Sequence, residues 1–155
     1  MLWLSLLHAI RSQVLSSSVK DGHNWIIKGL SADSRQIKND FIFVAITGVS
    51  SDGHKHIFSA VQAGAKVIII QDNEWRKFYS SEQLNAIQSA LIIPVKSSRE
   101  TLDLLAAEFY QHPSQSMMMF GVTGTKGKTS ITYLLEWVLN RISFPCGVLG
   151  TGDHH

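Results

Sequence analysis

The sequence predicts an α/β fold in two parts: a compact α/β domain, then the opening units of a doubly wound parallel sheet. Three observations carry this prediction. Short runs rich in β-branched residues alternate with stretches of helical periodicity along the first 112 residues. His112-Pro113-Ser114 then ends the last of these helices and has the chemistry of a linker. From Met117 onward, a strand-like run, a glycine-rich turn and an amphipathic helix follow without interruption. The expected domains are therefore 1–112 and 113–155. The second is expected to be incomplete, because two strands and one helix cannot bury both faces of a parallel sheet.

Each element follows from local pattern. In MLWLSLLHAIRSQVL, Trp3, Leu6, Leu7, Ile10 and Val14 fall at helical spacing and predict a surface helix packed on the domain. A targeting segment fits poorly there. No basic region precedes the apolar stretch, His8 and Arg11 break it, and no small-residue cleavage site follows cleanly. Nor does any stretch approach the ~18 apolar residues of a membrane span. Trp25–Leu30 reads as a strand and Asp40–Ile46 as a second, more buried one. Gly48–Gly53 is loop chemistry, and His56–Ala65 is a short helix with Ile57, Ala60, Val61 and Ala65 inward. Lys66–Gln71 and Ala90–Val95 read as further strands. Ser97 and Glu100, at capping-box spacing, open a helix over Arg99–Gln111 with Leu102, Leu105, Ala106 and Phe109 on one face.

In the second part, Met117–Val122 is read as a strand and Cys146–Gly150 as the next one. Between them Ile131, Leu134, Leu135, Val138, Leu139 and Ile142 repeat at i, i+3, i+4, i+7, i+8 and i+11, the signature of an amphipathic helix. There is no internal repeat and no low-complexity segment.

Composition narrows the class. With 45% hydrophobic and 17% charged residues the chain has a soluble globular balance. A formal charge of +2, scattered along the chain, gives no reason to expect a nucleic-acid or membrane partner. The single cysteine, Cys146, excludes an internal disulfide and fits a reducing compartment, so a cytoplasmic location is expected.

The segment GVTGTKGKTS, Gly121 to Ser130, carries the clearest chemistry. A strand that feeds a glycine turn and then a helix N-terminus gathers free backbone N–H groups in front of the helix's positive end. Glycines allow left-handed angles and let an anion approach without a Cβ in the way. Lys128 can supply a point charge to terminal phosphates, and Thr129 a hydroxyl to Mg²⁺. The glycines are Gly121, Gly124 and Gly127, a variant of the usual G-x-x-x-x-G-K-[ST] spacing. The alternative is a flexible turn with a solvated lysine. The strand-like run before the turn and the helix after it favour phosphate binding.

That variant resembles the Mur ligases, ATP-dependent enzymes that add amino acids to the UDP-linked muramoyl peptide of bacterial peptidoglycan. Their turn reads T-G-T-N-G-K-T. In Thr123–Thr129, Lys126 stands where the asparagine usually stands, which leaves the backbone cradle intact. The first domain also resembles the family, and in particular the branch that adds the third peptide residue. The matching positions are Asp33-Ser34-Arg35, Asp40-Phe41, Gly48, Asp52-Gly53, Gly64-Ala65, Phe109-Tyr110 and Pro113-Ser114.

The resemblance implies a UDP-substrate-binding first domain and the start of a P-loop ATP-binding domain. Ala32 and Ser34 from the first loop, and Val49, Ser50 and Ser51 from the second, would touch the UDP end of the substrate. Gly48 and Gly53 would let backbone groups face a uracil or diphosphate. For Asp33-Ser34-Arg35 the alternative is a turn closed by the Asp side chain, with a surface ion pair. Gly124, Thr125, Lys126, Gly127, Lys128, Thr129 and Ser130 would hold the ATP phosphates. Lys128 would be the catalytic cation, and Thr129 would ligate Mg²⁺. The implied reaction adds diaminopimelate or lysine to UDP-N-acetylmuramoyl-L-alanyl-D-glutamate through an acyl phosphate. The parent enzyme is expected to be monomeric. The family's second Mg²⁺ site, carbamylated lysine and C-terminal domain have no counterpart in this sequence, so the chain alone is expected to be inactive.

Two other readings stay open. One is a non-catalytic module that holds a UDP-sugar or ATP, which a natural stop after His155 would favour. The other is a P-loop kinase, disfavoured by the glycine spacing and by the domain in front. His54 and His56 read as surface histidines, because no third ligand stands at metal spacing. Asp153-His154-His155 has the look of a metal phosphoesterase triplet without its partner aspartates, and is read as chance. Cys146 reads as a small core hydrophobe.

Overall fold

Alternation within the apolar runs decides which helix lies on which face of the sheet. The computed structural model describes residues 1–15, 24–48, 51–71 and 73–150. The chain divides into two compact units, Met1–Pro113 and Ser114–His155. In the first, β1 (Gly29–Ser31), β2 (Phe41–Val44), β3 (Ala65–Ile70) and β4 (Leu91–Pro94) form a four-stranded parallel sheet in sequence order. Leu30 pairs with Ile42, Ile42 with Val67, and Ile68 with Ile92, with one register shift between Phe41 and Ile42.

Ile42, Val44, Val67 and Ile69 point to one face, where α1 (Trp3–Ala9) and α4 (Ser98–Phe109) supply Trp3, Leu6, Leu7 and Leu105. Phe43, Ala45, Ile68 and Ile70 point to the other, against α2 (Ile57–Gln62) and α3 (Ser81–Ile87) through Ile57, Ala60 and Ile87. Burial on both faces is why β2 and β3 read as continuous apolar runs rather than alternating ones. Each fully buried Ile or Leu contributes about 1.5–3 kcal/mol of transfer free energy.

The ends of the helices are set locally. The Ser97 hydroxyl accepts the Glu100 N–H at 3.3 Å. The Glu100 carboxylate accepts a hydrogen bond from the Gln13 side chain at 3.0 Å, so the expected box is half formed. A complete box, Ser80 with Gln83, opens α3, an element the periodicity did not reveal. At the other end of α4, Gln111 and His112 take left-handed angles (φ 61° and 52°), and His112 N–H donates to Ala107 O at 2.7 Å.

One strand is shifted from its expected position. β1 is shorter and later than Trp25–Leu30, because residues 25–27 pair antiparallel with the amino terminus before the parallel sheet begins. Trp3 N–H donates to Trp25 O at 2.9 Å, and Ile27 N–H donates to Met1 O at 2.8 Å.

The second unit contains α5 (Lys128–Arg141), as its periodicity predicts. Met117–Val122 and Cys146–Gly150 are not strands, contrary to expectation. A strand needs a ladder partner, and among the described residues neither segment has one. Together with Leu135 and Leu139 of α5, they line a groove of about 640 Å³. Among the described residues of this unit, only Val148 is buried. Among the described residues no helix is long and apolar enough to cross a membrane.

Candidate functional site

Ligands of open α/β sheets sit outside the carboxyl ends of the strands, where connecting loops leave backbone groups exposed. The loop after β1 is built on a chain of polar contacts. Ser31 Oγ accepts Asp33 N–H at 3.0 Å and donates to Gln36 Oε1 at 3.2 Å. Asp33 accepts Arg35 N–H at 3.0 Å and grips the guanidinium twice, at 2.9 Å (Nε to Oδ1) and 2.7 Å (Nη2 to Oδ2). The Arg35 side-chain and backbone hydrogen bonds hold the Asp33 carboxyl well below the usual range, at about 2. The aspartate-closed turn with a surface ion pair is therefore present. Ala32 on this loop is exposed and Ser34 half-buried.

The loop after β2 is closed by its own backbone. Thr47 bridges Asp52 antiparallel, Gly48 N–H donates to Ser51 O at 2.9 Å, and Gly53 N–H donates to Ile46 O at 2.9 Å. The N–H groups of Gly48 and Gly53 themselves are therefore spent inside the loop. Gly53 is required for a different reason: a Cβ there would stand 2.8 Å from both Ile46 N and Ile46 O. Ser51 is exposed, while Val49 and Ser50 lie outside the described residues. The two loops are neighbours. α2 packs on the 3₁₀ turn Ser34–Gln36, and the His56 charge is close enough to help depress Asp33.

His54 overturns its surface reading. Its side chain is fully buried, with Nδ1 2.7 Å from Asp52 Oδ1, and Nε2 accepting the Gln71 N–H at 3.3 Å. Burial pushes the Asp52 carboxyl up, but the His54 backbone and ring hydrogen bonds outweigh it and leave the carboxyl below its ordinary value. The available sequence signal was Asp at one position and His two later, at the start of a 3₁₀ turn, Gly53–His56. Its ring partner, Gln71, lies seventeen residues along the chain.

In the second unit two glycines shape the turn before α5. Gly124 (φ 149°) and Gly127 (φ 78°) adopt angles that L side chains rarely adopt, and Gly127 is the N-cap of α5. A Cβ on Gly127 would meet nothing within 4 Å, so the turn is open and its left-handed angle is what calls for glycine. The first N–H groups of α5 have no carbonyl one turn earlier to bond. Lys128 folds back over the turn, its Nζ donating to Gly124 O at 2.5 Å. Thr125, Lys126, Thr129 and Ser130 are all exposed around it.

For Mg²⁺, Thr129 offers one hydroxyl. Among the described residues no three His, Cys, Asp or Glu side chains gather where they could hold a metal. Such a donor set suits an ion held mainly by phosphate and water, with one protein ligand.

Comparison with known proteins agrees with this architecture. Residues 26–110 match the Mur ligase family, catalytic domain. The chain is 40% identical over 125 residues to the UDP-N-acetylmuramoyl-L-alanyl-D-glutamate--2,6-diaminopimelate ligase of Clostridium tetani, covering 81% of this chain and 24% of that protein. It is 33% identical over 145 residues to the ligase of the same name from Clostridium botulinum, covering 94% of this chain and 28% of the relative. Among solved structures it resembles the MurF ligase of Thermotoga maritima in complex with ADP. The TM-score is 0.50 at 29% identity, over 72% of this chain and 23% of that one. The chain spans about a quarter of the length of the curated relatives it matches. With the family match running through the parallel sheet and the loops after β1 and β2, the chain belongs to the Mur ligase family.

Proposed function

We propose that this chain is the N-terminal portion of an ATP-dependent ligase of peptidoglycan precursor synthesis. In this reading residues 1–112 hold the UDP end of UDP-N-acetylmuramoyl-L-alanyl-D-glutamate, with contacts from Ala32, Ser34, Val49, Ser50 and Ser51. Residues 113–155 begin the ATP-binding domain. ATP supplies the phosphoryl group that activates the substrate carboxylate for attack by the incoming amine. The chain's own residues hold and neutralise. Gly124–Ser130 present backbone N–H groups to the phosphates, Lys128 compensates their charge, and Thr129 contributes one oxygen to Mg²⁺. The relatives' shared name favours diaminopimelate over lysine as the amino acid added.

The observation that carries the reading is the likeness to diaminopimelate-adding ligases over as much as 94% of the chain. That span is long enough to take in both the β1 and β2 loops and the phosphate turn. A chimera tests it directly, with residues 1–150 of this chain replacing the matching segment of the Clostridium tetani ligase. ATP-dependent joining of diaminopimelate to UDP-N-acetylmuramoyl-L-alanyl-D-glutamate is expected. A folded chimera that binds neither nucleotide would argue against the proposal.

A further inference from the structure

The carboxyl ends of β2, β3 and β4 are joined by polar groups that pass from loop to loop. Asp52 Oδ1 accepts two donors from His54, the backbone N–H at 3.0 Å and Nδ1 at 2.7 Å. His54 Nε2 accepts the N–H of Gln71 at the end of β3, and Gln71 Oε1 accepts the N–H of Ser98 at the start of α4 at 3.0 Å. The Tyr79 hydroxyl donates to His54 O and accepts Ile57 N–H at 2.9 Å, tying the same residue to the start of α2. Because Nε2 accepts, the ring proton sits on Nδ1, so a single tautomer serves both contacts.

A fully buried histidine is costly unless its ring is satisfied, and an apolar residue would fill the space more cheaply. What His54 adds is a fixed distance between the β2 loop and the rest of the carboxyl edge. Asp52, which it holds, is the residue that bridges Thr47. We propose that His54 is a positioning residue for UDP binding, fixing the Thr47–Asp52 bridge to the end of β3. The inference rests on the UDP-binding reading above.

Two substitutions in the 155-residue chain separate the two ends of the ring. His54→Gln places an acceptor near the Nε2 position for Gln71 N–H but gives up the Asp52 contact. His54→Asn places a donor near the Nδ1 position for Asp52. With UDP as the probe, His54→Gln is expected to weaken binding at least about tenfold and to speed amide exchange at Gly48 by a similar factor. Exchange at the β3 amides Val67–Ile70 should stay at the wild-type rate. His54→Asn gives up the Gln71 contact and should weaken UDP binding by a similar factor, because either ring contact alone leaves Asp52 untied from β3.

Wild-type affinity and Gly48 exchange in His54→Gln would overturn the inference. So would loss of β3 protection in both variants, which marks a residue needed only for folding. A wild-type chain that does not bind UDP would remove the binding reading itself, and this role with it. A wild-type chain that binds while His54→Gln binds equally well removes this role alone.

Discussion

The same helical spacing of apolar residues has opposite outcomes in the two units. In the first, Trp3, Leu6, Leu7 and Ile10 of the opening helix region are 0–1% exposed. In the second, Ile131, Leu134 and Val138 of α5 and Ile142 just after it are 43–69% exposed. Periodicity fixes the element and its apolar face, but burial needs a partner surface. The first unit provides one, a parallel sheet with helices on both faces. In the second, Met117–Val122 and Cys146–Gly150 stay unpaired among the described residues, so α5 lies beside an open groove instead of on a sheet.

Substitutions should break this contrast unequally. Phe43 is fully buried between β2 and α2, so Phe43→Ala should cost about 3–5 kcal/mol in urea denaturation followed at the β3 amides. The next effect falls on chemistry rather than folding. In the chimera, Lys128→Ala should lower kcat at least about tenfold while UDP-substrate affinity holds, because the proposed role of the cation is toward the ATP phosphates. Retention of more than about a tenth of the activity would speak against that role.

Smaller effects sharpen the comparison. Ser97→Ala removes the N-cap of α4 and should cost about 1 kcal/mol in the same denaturation experiment. Acid should act on the first unit through Asp33 and Asp40, both held at about 2 against an ordinary 3.8, Asp33 by Arg35 and Asp40 by Lys28 and Lys66. A carboxyl depressed in the folded state stabilises fully above the ordinary value and loses that contribution as pH falls toward 2. The denaturation midpoint of the first unit should therefore drop between pH 4 and pH 2, and Asp40→Asn should flatten the slope. Both carboxylates are partly exposed to water, so the change should be modest. Smallest of all, Leu134→Ser on the exposed face of α5 should stay within about 0.5 kcal/mol of wild type.

Much of the first unit was legible because its signals are local. The Trp3–Ile10 stripe, the β-branched run before Gln71 and the Ser97 cap each act within a few residues. What was missed depends on distance along the chain or on competition. The Ser80–Gln83 box opens a helix of seven residues, too short to show a periodic stripe. Trp25–Ile27 reads as part of one strand with Lys28–Leu30, but pairs with the amino terminus instead. His54 looked like a surface residue because histidine burial is decided by partners, and Gln71 and Tyr79 lie 17 and 25 residues away. At the candidate site, the glycines and the Gly-Lys-Thr turn were legible as backbone permissions. Their hydrogen bonds were not, and both β2-loop glycines donate inward.

The division of nucleotide binding between the units is open to one direct measurement. The uniformly ¹⁵N-labelled chain would be titrated separately with UDP-N-acetylmuramoyl-L-alanyl-D-glutamate and with ATP and Mg²⁺, and amide shifts read for each ligand. The UDP substrate should move amides of residues 31–36 and 47–56 and leave 121–130 still, while ATP should move residues 121–130 alone. UDP-substrate shifts confined to other surfaces of the first unit, or none at millimolar ligand, would contradict it.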